Sequence, residues 1–197
     1  NNLLFISCAF TVFFGTLYPV FAEAVTGSKI TVGPPFFNAV MEPFFLALLL
    51  LMGTCPLIAW RRATPSHFRR NFLVPVLAGA AAGLLLVGAG MRHGWALAFL
   101  SACAFVLATH ALEYFRGTRA RVHMTGEKPP AALVNLVDKN RRRYGGYLIH
   151  TATVLVFLGV AVSTSFKTQG DLVIKKGETG RFGDFGLTFR GLHRFQQ

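Results

Sequence analysis

Charged side chains are scarce in this sequence. Only 14% of its 197 residues are charged, whereas a soluble domain carries about a quarter. Acidic residues are the scarcest, with 8 Asp and Glu against 20 Lys and Arg. The deficit falls in long uncharged blocks, and 53% of the residues are hydrophobic, including 20 phenylalanines. These proportions exclude an ordinary soluble domain and predict a protein that crosses a membrane several times.

Cysteines and enzyme motifs are also few. Cys8, Cys55 and Cys103 all lie in apolar runs and none forms a CxxC pair, so we expect small buried side chains. The sequence contains no GxSxG, Walker-type or HExxH motif, and no soluble-enzyme chemistry is therefore indicated. There is no basic leader and no initiator methionine, so we expect a processed chain or a piece of a larger one.

Five apolar runs are long enough to cross a hydrocarbon core of about 30 Å as helices that rise about 1.5 Å per residue. They are residues 3–22, 35–60, 72–90, 95–115 and 147–166. After residue 166 the composition changes: 171–178 predicts a short strand that ends in a turn at Lys176 and Gly177, and 187–190 alternates as a strand does. The predicted fold class is a membrane all-α protein of about five transmembrane helices, followed by the start of an extracytoplasmic β-rich segment.

The basic residues predict the orientation. Four arginines lie in the loop at 61–71 and eight Lys and Arg lie at 116–146, whereas the alternate loops hold only Lys29 and Arg92. The positive-inside rule places both basic loops in the cytoplasm and the C-terminal tail on the far side of the membrane. The net charge of +12 sits at the ends of apolar runs, which is typical of contact with lipid headgroups and argues against nucleic acid as a partner.

These observations predict four parts. Residues 1–115 form four transmembrane helices with short loops, and 116–146 form a cytoplasmic basic loop. Residues 147–166 form the transmembrane helix that carries His150, and 167–197 form the extracytoplasmic β-rich segment.

His150 is the residue whose chemistry most needs an explanation. It lies about one turn inside the last apolar run, directly after three arginines at 141–143. An imidazole at that depth must be hydrogen-bonded, line water, or hold a metal or cofactor. His110 is predicted at the same depth in the preceding run, so both histidines could be axial ligands of one haem. Alternatively each is a satisfied polar residue, with His110 paired to Glu113 three positions on.

Three further features carry structural predictions. Glu42, which precedes Pro43, is expected in the first turn of the second helix, where a carboxylate is stabilised; a proton or cation site is the alternative. Pro19 is expected to kink or end the first helix. Gly79 and Gly83 form a small-xxx-small pattern that lets another helix approach closely.

Several segments, taken in order, resemble the C-terminal half of the CcmF family, the haem lyase subunit of bacterial cytochrome c maturation. The segments are 1–5 (NNLLF), 15–19 (GTLYP), 32–38 (VGPPFFN), 51–57 (LMGTCPL) with 60–62 (WRR), and 140–147 (NRRRYGGY). The chain departs from the family at Phe36, where Tyr is frequent, and at Thr151-Ala152 after His150, where Leu-Gly is frequent.

The resemblance implies an activity. A haem lyase receives haem from a haem chaperone and joins its vinyl groups to the two cysteines of a CxxCH motif in apocytochrome c, on the periplasmic face. The resemblance also implies a haem b in the membrane, with His150 as one axial ligand of its iron. The other ligand and a tryptophan-rich haem-handling segment belong to the N-terminal half, so His110 is not the partner that the family implies.

The implied surroundings follow from the same resemblance. The chain would be a multi-pass protein of the bacterial inner membrane with a periplasmic tail. Its partners would be the N-terminal half, the haem chaperone, and apocytochrome c with its thiol-reducing or presenting subunits. Two other functions stay open: a non-catalytic scaffold that docks the other half, and half of a transporter, which would need a second half related by repeat symmetry.

Overall fold

The computed structural model describes residues 1–58, 65–167 and 172–191. Within them the chain forms six α-helices and two short strands, namely α1 (Asn2–Thr26), α2 (Pro34–Thr54), α3 (Pro65–Gly88), α4 (Gly94–Thr125), α5 (Pro129–Lys139), α6 (Arg141–Ser165), β1 (Thr179–Phe182) and β2 (Phe185–Thr188). A 3₁₀ turn at Cys55–Leu57 follows α2. All helices except α5 are long and apolar enough to span a membrane. The predicted fold class is confirmed, and the chain is a membrane protein.

Helix α4 is the centre of the helical unit and packs against α2, α3, α5 and α6. The core combines residues from α2, the turn after it, α4 and α6: Leu49, Leu57, Ala102, Cys103, Phe105, Val106 and Val154. Helix α1 packs against α2 and leaves large apolar side chains such as Phe10 and Phe21 exposed. Because water does not tolerate so large an apolar face, lipid or a partner must cover it.

Small residues let neighbouring helices approach α4 closely. A Cβ atom added at Gly79 would lie 3.0 Å from the Ser101 carbonyl oxygen, and one added at Gly83 would lie 2.8 Å from Ser101 Oγ. The small-residue face predicted on the third helix is therefore used within this chain, against α4. On α2, Gly53 likewise permits close approach to α4, because an added Cβ would lie 2.5 Å from Cε1 of Phe105.

Two helix boundaries correct the sequence analysis. Helix α1 does not end at Pro19 but continues to Thr26, where Gly27 caps it with a φ of 67°. Helix α2 begins at Pro34, directly after the extended Gly33, so Glu42 lies well inside the helix and its predicted first-turn position is wrong. Cys8 and Cys103 are buried as expected, whereas Cys55 is exposed.

The basic segment between the last two membrane helices is mostly helical. Helix α4 continues to Thr125 and is capped by Gly126 with a φ of 69°, and α5 follows. The Glu127 carboxylate ties the two helices together: it accepts from Arg121 at 2.9 and 2.8 Å and from Asn135 at 3.2 Å. These donors, Arg121 first, hold the pKa of Glu127 below its usual value. The segment predicted as a basic loop is therefore mostly helical, and α5 buries Ala132 and Leu136 on one face.

The described part of the C-terminal unit, residues 172–191, contains a hairpin. Strands β1 and β2 pair antiparallel, with Thr179 opposite Thr188 and Phe182 opposite Phe185. The turn predicted at Lys176 and Gly177 is present. The strand predicted over 171–178 is wrong, because 172–178 form no strand and residue 171 lies outside the described residues. Of the second predicted strand, only Leu187 and Thr188 belong to β2.

Candidate functional site

His110 and His150 meet where α4 packs against α6. Their ring centroids lie 5.9 Å apart, with 28° between the ring planes. His110 is 2% exposed, whereas His150 is partly buried. The structure therefore brings together the two histidines that the sequence places at the same depth.

Tyr147 and Thr151 of α6 both contact the His110 ring of this pair. Nδ1 of His110 lies 3.0 Å from Oγ1 of Thr151, and the Thr151 hydroxyl donates to the carbonyl of Tyr147 at 2.8 Å. The Tyr147 ring also stacks on the His110 ring, with centroids 5.5 Å apart and planes 18° apart. One face and one nitrogen of His110 are thus held by consecutive turns of α6.

Glu113 does not pair with His110, and that prediction is wrong. Its carboxylate accepts from Arg143 at 2.6 Å, across the contact between α4 and α6. A guanidinium forms a stronger charge-assisted hydrogen bond with a carboxylate than a neutral imidazole does. Nε2 of His110 is consequently enclosed with no hydrogen-bond partner.

Of the two ring nitrogens of His150, only Nδ1 is fully enclosed without a hydrogen-bond partner. Its Nδ1 is buried with no hydrogen-bond partner in the described part of the chain, whereas Nε2 is not among the enclosed atoms. An imidazole whose Nε2 is not enclosed by protein could give that lone pair to an iron beside the helix, since haem iron takes imidazole readily. The residues present at His150 therefore fit a haem.

The enclosed nitrogen of His110 does not fit an axial ligand in this arrangement. The Tyr147 ring stacks on one face of the His110 ring, and the His110 and His150 rings stand nearly parallel, 28° apart, rather than pointing their nitrogens at a common centre. His150 is therefore the candidate ligand.

The space beside His150 supports the same assignment. Gly146 lies four residues before His150 and therefore on the same face of α6. A Cβ atom added at Gly146 would meet nothing within 4 Å. A flat ligand bound at His150 would have room over this turn of the helix.

Tyr114, Tyr144 and Tyr147 form a tyrosine cluster next to the histidine pair. The Tyr114 hydroxyl donates to the carbonyl of Tyr144 at 2.6 Å, and the Tyr144 and Tyr147 rings lie edge to face with centroids 5.8 Å apart. The Arg143 guanidinium lies over both of the latter rings at 5.7 and 5.9 Å. Sequence reasoning missed this cluster, although two tyrosines three residues apart beside an arginine run were a usable signal.

A cavity of about 500 Å³ with a mixed polar and apolar lining lies next to the tyrosine cluster; its polar lining residues include Glu113, Arg116, Arg121, Asn140, Arg143 and Tyr144. Arg121 and Arg143 are ion-paired with Glu127 and Glu113. Arg116 donates to Oδ1 of Asn71 at 2.8 Å. Because these arginines already have partners, we assign no ligand to the cavity.

Comparison with known proteins identifies the relatives of this chain. It is 30% identical over 97% of its length to the cytochrome c-type biogenesis protein CcmF of Pseudomonas aeruginosa and 32% identical over its full length to that of Pseudomonas fluorescens. It is also 30% identical over 98% of its length to the cytochrome c-type biogenesis protein CycK of Rhizobium meliloti. The chain spans 28% of the length of each of these relatives. No family model and no solved structure matches it. The chain belongs to the CcmF/CycK family of cytochrome c-type biogenesis proteins.

Proposed function

We propose that this chain is part of a bacterial haem lyase for cytochrome c maturation and that His150 is an axial ligand of a membrane haem b. The observation that carries the proposal is the partly buried His150 ring, whose Nδ1 but not Nε2 is among the enclosed atoms, beside free space at Gly146. Family membership gives the biological context, since the relatives are named cytochrome c-type biogenesis proteins. When bound, the haem would supply one-electron chemistry for reducing the iron of an incoming haem.

The residues of this chain would hold and orient that haem. Tyr147 and Thr151 hold the His110 ring through a stacking contact and a hydrogen bond. Beside His150, the haem would lie in the free space next to Gly146 of α6. The side chains of Leu148 and Ile149, exposed at 63% and 67%, lie on other faces of α6 than His150. Iron ligation at Nε2 is the contribution that the proposed haem site takes from α6.

The remaining parts of the proposal concern partners and location. The predicted orientation puts the arginine-rich start of α6 in the cytoplasm and the β hairpin in the periplasm. Haem would arrive from a haem chaperone, and the CxxCH cysteines of apocytochrome c would be delivered by thiol-reducing or presenting subunits. The tryptophan-rich segment and the second haem ligand would come from the N-terminal half of the lyase.

Deleting the gene for this chain from its host is expected to abolish maturation of a c-type cytochrome. The measurement is covalent haem on a CxxCH reporter, detected by its peroxidase activity after denaturing electrophoresis. Re-expression of the chain should restore the signal. A reporter that carries covalent haem equally well without the chain would reject a role in the lyase.

A leucine at Gly146 is expected to lower the haem content of the purified complex several-fold, because the side chain would fill the space beside His150. Gly145 provides a matched control, since its added Cβ also meets nothing within 4 Å but lies on another face of the helix. We expect Gly145→Leu to retain haem, as measured by pyridine haemochrome per protein. Equal haem content in both variants would contradict the placement of the haem over Gly146.

A scaffold role is the second candidate, and the exposed apolar face of α1 favours it. In that case the chain would only dock the other components, and His150 could be replaced without loss of haem or of maturation. The small-residue face of α3 is not available for such docking, because Gly79 and Gly83 are covered by Ser101 of α4.

A further inference from the structure

We infer that His110 is a positioning residue for His150: it accepts the Nδ1–H of His150 and so leaves the Nε2 lone pair of His150 free for a metal. The hydrogen-bond chain would run from the Tyr147 carbonyl through Thr151 and His110 to His150. This inference rests on the proposed function for the identity of the metal as haem iron. The links from Tyr147 through Thr151 to His110 are present in the structure, and the link from His110 to His150 is the inferred step.

The first step is the tautomer of His110. The single hydroxyl proton of Thr151 is donated to the Tyr147 carbonyl at 2.8 Å, a bond to position i−4 that threonine commonly makes in helices. Its Oγ1, which lies 3.0 Å from Nδ1 of His110, must then accept. A neutral imidazole carries one N–H, so the proton of His110 sits on Nδ1 and its Nε2 carries a lone pair.

The second step concerns the two unsatisfied nitrogens. His110 Nε2 and His150 Nδ1 are the only enclosed side-chain nitrogen or oxygen atoms without a partner in the described residues, and their rings face each other with centroids 5.9 Å apart. Buried polar atoms are seldom left unpaired. The two atoms form no direct hydrogen bond in the structure, and we infer that a rotation of the His150 ring about its soft χ2 angle, or one bridging water, would join them.

The third step is the consequence for His150. A proton on Nδ1 that is donated to His110 leaves the lone pair of His150 on Nε2, which is not among the enclosed atoms. A hydrogen bond from the far N–H of a ligating histidine fixes the ring orientation and raises the basicity of the ligand. His110 would therefore tune a metal held by His150 without touching it.

The Thr151 hydroxyl determines which ring nitrogen of His110 carries the proton. The Met52 carbonyl on α2 lies near the His110 ring but forms no hydrogen bond of good geometry with it. Residue 56 is proline and has no N–H, so this carbonyl lacks its usual helical donor. If the Thr151 hydroxyl were absent, the proton of His110 would move to Nε2 and be donated to Met52. His150 would then lose its acceptor.

The test uses the complex purified with its haem. Thr151→Val keeps the side-chain shape but removes the hydroxyl, and Thr151→Ser keeps the hydroxyl as a matched control. His110→Phe removes the acceptor and retains a ring against Tyr147. In a redox titration, Thr151→Val and His110→Phe should raise the midpoint potential of the haem, because a less basic ligand stabilises ferric iron less well. Thr151→Ser should behave as the wild type.

A second measurement does not depend on any variant. Ring ¹⁵N shifts of the wild-type complex, labelled at histidine, should report His110 protonated at Nδ1 and not at Nε2. A His110 proton at Nε2, or wild-type potentials in both Thr151→Val and His110→Phe, would overturn the inference and leave the proposed function standing. A b-type spectrum that survives in His150→Ala would overturn the proposed function instead, so the two failures are distinguishable.

Discussion

Replacing His150 with alanine is expected to abolish the b-type Soret band of the purified complex. Nε2 of this ring, which is not among the enclosed atoms, is the atom that we propose for the iron, and alanine offers no replacement ligand. Absorption spectra of the oxidised and dithionite-reduced complex, normalised to protein, provide the measurement. Added imidazole should restore part of the band, because it can occupy the space vacated by the side chain.

A control histidine separates ligand loss from general damage. His93 is exposed and precedes α4 as its N-cap residue, so His93→Ala should keep the wild-type spectrum. If His150→Ala also keeps it, the ligand role is rejected. The chain would then be better described as a membrane-anchored docking platform.

A leucine at Gly53 is expected to destabilise the helical unit strongly. Even a Cβ at this position would lie 2.5 Å from Cε1 of Phe105 and 3.0 Å from Cγ2 of Val106, and both side chains belong to the core of α4. Inserting bulk into a well-packed core costs about 1–3 kcal/mol and occasionally more. We expect a clearly lower midpoint of thermal unfolding in detergent, measured by the loss of monodisperse protein.

Gly159 is the matched control for this substitution. It also lies in a membrane helix, but an added Cβ there meets nothing within 4 Å. Gly159→Leu should therefore leave the thermal midpoint close to that of the wild type. Equal midpoints for the two leucine variants would contradict the close packing of α2 on α4.

The membrane helices could be predicted from the sequence because length and apolar content suffice to identify them. Their ends could not, since hydropathy does not report where backbone hydrogen bonding begins. Glu42 illustrates the difference: the proline at Pro34 after an extended Gly33 was the true start signal of α2, two turns before the acid. In the same way, Pro19 removes one backbone donor from α1 without ending the helix, which continues to Thr26.

The site was only partly predictable. His150 could be singled out from its depth and from the resemblance, and His110 from its matched depth. The contact between His110 and Thr151 joins residues 41 positions apart, which no local pattern reveals. Glu113 was expected to pair with His110, three residues before it, but it accepts a hydrogen bond from Arg143 of α6 instead. Which partner Glu113 binds depends on how the two helices pack.

The Nε2 side of His150 has a consequence for assembly. The enclosed nitrogens and the packed rings lie toward α4, so a haem at Nε2 would sit on the outside of this helical unit. Its second axial ligand would then come from beyond the described residues, which agrees with the N-terminal half implied by the resemblance. The chain spans 28% of the length of the Pseudomonas aeruginosa CcmF and Rhizobium meliloti CycK relatives.

A density map of the intact complex, purified from bacterial membranes with its partners, tests the central claim most directly. The account predicts a porphyrin against α6 over Gly146, with its iron bonded to Nε2 of His150. A map in which that imidazole contacts only protein, lipid or water, with no porphyrin beside it, would contradict the account.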